Sequence, residues 1–160
     1  LVAASGGDVS YLELDRLLSL QKPRSSPPEH DELLFIVIHQ VYELWMKLLL
    51  RELRDARDAL SAERVDEEIV PRVVHHLDRV EEILRLMTAQ WAVMETLAPQ
   101  DFLAFRDKLA PASGFQSFQM RELELVLADE TRLYQLVGYI VIKDFLRPDF
   151  NPHDLMQFLN

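Results

Sequence analysis

His39 is the first residue whose chemistry is at odds with its surroundings. It lies within Phe35-Ile-Val-Ile-His-Gln-Val41, a run otherwise suited to packing alone. A neutral imidazole among aliphatic side chains must find a hydrogen-bond partner. Glu43, one helical turn on, is a candidate, and that pairing would make His39 structural. Phe35, one turn before, shares its face, so the same face could instead line a pocket for an aromatic ligand. Arg106 is the second. A helix over Asp101-Phe-Leu-Ala-Phe-Arg-Asp-Lys-Leu109 places Phe102 and Arg106 one turn apart. A guanidinium beside aromatic rings suits two-pronged capture of a substrate carboxylate. A salt bridge to Asp107 or to another helix explains Arg106 without a ligand.

Other residues read less sharply. In Ser113-Gly-Phe-Gln-Ser117 the glycine permits close backbone approach and Ser113 offers a hydroxyl at a helix start, where simple capping accounts for it equally well. Trp91 could flank a flat cofactor or only pack. His75 and His76 are adjacent, so on a helix they diverge by about 100° and cannot chelate one metal together. They are expected at a surface or interface. His30 follows a proline pair, His153 falls in the first turn of a last helix, and no His-x-x-x-His spacing occurs.

The elements that must position these groups are helices. The chain has 160 residues, a length that fits one domain, and 49% are apolar, which excludes wholesale disorder. Lys and Arg number 17 against 27 Asp and Glu, a net charge of −10 that argues against nucleic acid or an anionic membrane as partner. With no cysteine, metal chemistry must run through His, Asp, Glu or a bound cofactor. The absence of cysteine and of a signal-like start points to a soluble, cytoplasmic protein. Leu33 to Leu50 is the longest apolar stretch, but it holds His39, Gln40, Glu43 and Lys47, so it reads as a buried helix rather than a membrane span.

Apolar residues recur at three- and four-residue spacing almost throughout, and only four glycines interrupt them. The expected order is a first helix capped by Asp8 and reaching about Leu20, a proline-rich connector over Lys22–Pro28, and a long helix from about Glu29 to Leu60. The first half of that helix is apolar nearly all round and is expected to be enclosed by others; the second half is amphipathic and is expected to emerge toward solvent. A third helix runs from about Asp66 to Leu97, with Pro71 a possible true start. A short helix follows over Asp101–Leu109, then a tight loop to Ser117 and a helix through Met120, Leu123 and Leu127. Two more are expected, over about Glu130–Leu146 and from Asn151-Pro152 onward. The fold class is therefore all-α, a single helical bundle over 1–160 with two long central helices.

Several stretches together resemble the tryptophan 2,3-dioxygenase family, all-α haem enzymes that open the indole ring of tryptophan. They are Tyr11-Leu-Glu-Leu-Asp-Arg-Leu-Leu18, His30-Asp-Glu-Leu-Leu-Phe-Ile-Val-Ile-His-Gln40, Glu43-Leu-Trp-Met-Lys-Leu48, Gln90-Trp-Ala-Val-Met-Glu-Thr-Leu97, Asp101-Phe-Leu-Ala-Phe-Arg-Asp107 and Pro111-Ala-Ser-Gly-Phe-Gln-Ser-Phe-Gln-Met-Arg-Glu122. They occur in family order over about residues 8–128. The resemblance implies a haem-dioxygenase-like bundle that binds haem b, O2 and L-tryptophan, yields N-formylkynurenine, and assembles as a homotetramer. It implies that His39 is the distal histidine meeting the indole nitrogen, that Phe35 packs on the indole, and that Arg106 holds the substrate carboxylate with Phe102 beside it. Ser113 would line the pocket for substrate and haem, and Trp91 and Leu109 the haem cavity.

The pattern also departs from the family. The axial histidine and a Gly-rich loop with a substrate-binding threonine belong to a C-terminal half that this sequence does not match. His153 is the one downstream histidine and the only candidate metal ligand there. Gly6-Gly7-Asp8 stands where the family often has an aromatic residue. The short length and the missing initial methionine fit a piece of a longer enzyme; a shortened relative with altered haem ligation is the other reading. Alternative functions are a haem-dependent indole monooxygenase, a non-catalytic indole- or haem-binding protein, and a helical interaction module.

Overall fold

The computed structural model describes residues 11–61, 65–109 and 117–128. Among them regular structure is helical: α1 over Leu14–Leu17, α2 over His30–Leu60, α3 over Val70–Met94, α4 over Pro99–Arg106 and α5 over Phe118–Ala128, with a 3₁₀ turn over Glu67–Ile69. The two helices expected beyond residue 129, His153, the Asp8 cap and the loop at Ser113 lie outside the described residues.

Local chemistry sets the boundaries. α1 is only four residues long, and Ser19 Oγ and Gln21 Nε2 donate to its Arg16 and Leu17 carbonyls at 2.7 and 3.1 Å, closing it earlier than Leu20. Asp31 and Glu32 place negative charge in the first turn of α2. The 3₁₀ turn precedes Val70, and Pro71 occupies the first turn of α3, where its missing N–H removes no helical bond. Pro99 likewise opens α4. Ser117 Oγ accepts from the Met120 amide at 3.1 Å and caps α5.

The described fold divides into two compact units, Leu1–Val41 with Ala92–Ser113, and Tyr42–Trp91 with Gly114–Asn160. In the second unit α2 contributes Leu49, Leu50, Leu53, Ala56, Ala59 and Leu60 to a core shared with Val73, Leu77, Val80 and Ile83 of α3 and Leu123 and Val126 of α5. Each fully buried Leu there contributes roughly 1.5–3 kcal/mol of apolar transfer. Polar ties cross the same interfaces. Tyr42 Oη donates to the Met87 carbonyl at 2.6 Å, and Arg54 pairs with Glu122.

This placement corrects the reading of α2. Its second half carries the core, while Leu33, Val37 and Leu44 of the first half are 48%, 40% and 51% exposed. Side chains that are apolar on every side do not reveal which side is covered. The amphipathic stripe from Leu49 to Leu60 does, because its spacing matches one face against α3. By length and composition α2 could cross a membrane, with mean hydropathy 1.6 in a window of which 22% is buried. The core positions of its second half are helix-packing positions.

In the first unit Phe105 and Glu32 are completely buried and Ile38 is 4% exposed. The connector between α1 and α2 contains a cis peptide bond at Ser26–Pro27 and is fastened to α2 through Glu32 and Gln40.

Candidate functional site

The first unit brings together four residues singled out by sequence. Phe35 and His39 share one face of α2, with ring centroids 4.1 Å apart. Phe102 of α4 lies 5.7 Å from Phe35, and the Arg106 guanidinium carbon stands 5.9 Å from the Phe102 centroid. The order in space is imidazole, phenyl, phenyl, guanidinium. Phe105, which sequence reasoning passed over, completes the group at 5.7 Å from Phe35 and 5.5 Å from Phe102, edge-on to both. Its signal was present: Phe102 and Phe105 are three apart on one short helix, the spacing that puts two rings on one face.

Hydrogen bonding gives the imidazole a direction. His39 Nδ1 lies 2.7 Å from the Phe35 carbonyl oxygen. A carbonyl only accepts, so the Nδ1 proton points into that bond, and in the neutral ring Nε2 carries the lone pair. Glu43 is not the partner of His39. Its carbonyl and its Oε2 accept from Gln119 Nε2 at 2.8 and 2.7 Å. The ring is satisfied within its own helix, and its second nitrogen is left to accept a bond.

Arg106 is exposed at the end of α4. Among the described residues it forms no ion pair, so the salt bridge to Asp107 is not made. A cation–π contact with Phe102 holds it instead. This free, oriented fork is the form in which a guanidinium receives a carboxylate. Leu109, three residues on, is half-buried. Ser113 lies outside the described residues.

Trp91 belongs to the second unit, 57% exposed, with Tyr42 6.2 Å away. His76, expected at a surface or interface, is half-buried between α2 and α3: its Nδ1 lies 2.6 Å from buried Glu52, which also accepts from Arg79 at 2.8 Å. Burial pushes the Glu52 carboxyl up, but the bonds from His76 and Arg79 and their charge outweigh it and hold the group below its ordinary value. A cleft of about 380 Å³ near His76 is lined by Asp55, Asp58, Ala59 and Arg72, charges ill-suited to an indole. Among the described residues no three His, Asp or Glu side chains gather to hold a metal ion.

A family model described as tryptophan 2,3-dioxygenase matches residues 3–141. This chain belongs to the tryptophan 2,3-dioxygenase family. Curated relatives carrying that name include one from Nocardioides sp., 54% identical over 117 residues, which are 73% of this chain and 43% of the relative. Another, from Myxococcus xanthus, is 50% identical over 122 residues, 75% of this chain and 40% of the relative. A third, from Alteromonas mediterranea, is 48% identical over 120 residues, 73% and 33% of the two chains. The chain thus spans between a third and somewhat under half of the tryptophan 2,3-dioxygenases it matches. The family match covers Phe35, His39, Trp91, Phe102, Arg106, Leu109 and Ser113 and stops short of His153.

Proposed function

We propose that the protein acts as a haem-dependent dioxygenase that opens the indole ring of L-tryptophan to N-formylkynurenine. The observation that carries this reading is the His39–Phe35–Phe102–Arg106 row. An indole amino acid presents an N–H donor at one end, a flat ring between and a carboxylate at the other. His39 Nε2 is the acceptor for the indole N–H, Phe35 and Phe102 give the ring flat apolar contact, and Arg106 pairs with the carboxylate. Holding both ends of the molecule fixes which ring carbons face the oxidant.

Haem b is the cofactor of this reading and supplies dioxygen activation when bound. Trp91, 57% exposed, presents flat apolar surface to such a guest. Trp91, Leu109 and Ser113 are the residues that would hold it, and His153 is the candidate axial ligand. The remaining proposals follow the family: a soluble, cytoplasmic homotetramer. A single domain is proposed because 160 residues is a length that fits one.

Reconstitution with hemin tests the whole reading. A Soret band that sharpens on adding L-tryptophan, with N-formylkynurenine formed under reducing conditions and O2, is the expected result. Absorption identical to free hemin would reject it, and a hydroxylated indole product would replace dioxygenation by monooxygenation.

A further inference from the structure

We propose that Glu32 is a positioning residue: its buried carboxylate latches the segment from Leu20 to Ser25 onto α2 as a strap that walls one side of the His39 face. This deepens, and rests on, the reading of that face as the indole site.

The latch is built from donors converging on one carboxylate. Oε1 accepts from the Arg24 amide at 2.6 Å, while Oε2 accepts from the Ser25 amide at 3.1 Å and from the Ser25 hydroxyl. Ser25 Oγ in turn accepts from the Glu29 amide at 2.8 Å. Glu32 is 0% and Ser25 8% exposed, so water does not replace these partners. A buried carboxylate is costly to retain unless its bonds do something an apolar residue would not. Here they fix a proline-rich connector that has no helix or strand of its own.

A second tie lies two turns along. Gln21 Nε2 donates to Gln40 Oε1 at 2.5 Å, and Gln40 Nε2 donates to the Leu20 carbonyl at 3.4 Å. The strap therefore runs antiparallel to α2, with Ser25 at Glu32 and Leu20 at Gln40. Counting about 100° per residue from Glu32, Gln40 lies about 80° to one side, Phe35 about 60° to the other, and His39 about 20° from Glu32 on the Phe35 side. Phe102 and Phe105 of α4 meet Phe35 on its own side. His39 thus stands between the α4 rings and the strap.

Limited proteolysis and ligand binding test this together. Trypsin can cut Arg24–Ser25 only when the strap lifts, because the Arg24 and Ser25 amides both donate to Glu32 and the Ser25 hydroxyl accepts from the Glu29 amide. Glu32→Gln is expected to speed this cut about tenfold or more, the scale of losing a charge-assisted bond, and to weaken L-tryptophan binding several-fold by calorimetry. Glu52→Gln, at a carboxylate 4% exposed in the other unit, is expected to lower the melting temperature while changing neither. Ser25→Ala, milder should Glu32→Gln fail to fold, is expected to shift both readouts in the same direction by less. An unchanged cut in Glu32→Gln, or an equal acceleration in Glu52→Gln, overturns the latch. A faster cut with unaltered tryptophan affinity overturns the positioning role. If the native chain binds no L-tryptophan, the reading of the site fails, and the ratio of cut rates still decides the latch.

Discussion

The Phe35 carbonyl, by accepting the Nδ1 proton, selects the tautomer of neutral His39 whose lone pair lies on Nε2. Replacing His39 with Ala is expected to cost roughly 1–3 kcal/mol of tryptophan binding, the scale of a buried unmade bond, while circular dichroism stays helical. Collapse of the helical signal would return His39 to a core role. Arg106→Ala is expected to weaken binding by roughly 2–5 kcal/mol if substrate desolvates the pair; calorimetry with L-tryptophan reads it, and unchanged affinity would assign Arg106 to structure. Glu32 and Glu52 predict a pH dependence. Burial raises both carboxyls, but hydrogen bonds, from Arg24 and Ser25 in one case and His76 and Arg79 in the other, bring both below their ordinary value. A folded-state value below the unfolded one means stability that is present above the ordinary carboxylate range and lost as pH falls through it toward the folded values. Urea titrations between neutral and acid pH should show that loss, and the Glu32→Gln, Glu52→Gln double variant should be less stable at neutral pH with a flatter acid slope.

At the scale of the helix, the core stripe of α2 is where packing energy concentrates. Leu53, 1% exposed, is expected to cost roughly 2–5 kcal/mol on truncation to Ala. Leu125, 67% exposed on α5, should stay within about 0.5 kcal/mol in the same chemical-denaturation assay. Among the described residues the helices and most of their boundaries were legible in the sequence because Pro71, Pro99 and the 22–28 connector are local stop and start signals. The pairing of Phe35 with His39 and of Phe102 with Arg106 was legible because one-turn spacing is local too. What escaped depended on partners far along the chain. Glu43 is claimed by Gln119, 76 residues away, and His76 by Glu52 across a helix pair. The Glu32 latch escaped because one acidic residue in a first helical turn looks like any other dipole partner until the connector folds back on it.

For the whole molecule, many large apolar side chains remain outside the core, among them Tyr11, Leu18, Leu103 and Phe118 at 60–87% exposed. Such surface is compatible with the proposed tetramer. Sedimentation is expected to give a mass near four chains, and a monomer at all concentrations would remove that proposal. The two tryptophans, Trp45 and Trp91, both fall in the Tyr42–Trp91 stretch, so the unit that carries His39 and Arg106 has no indole of its own. Tryptophan fluorescence, excited beyond tyrosine absorption, therefore arises from side chains of that stretch alone. Trp91→Phe would leave Trp45, packed against the core, as a lone tryptophan emitter that follows the unfolding of the α2–α3–α5 packing.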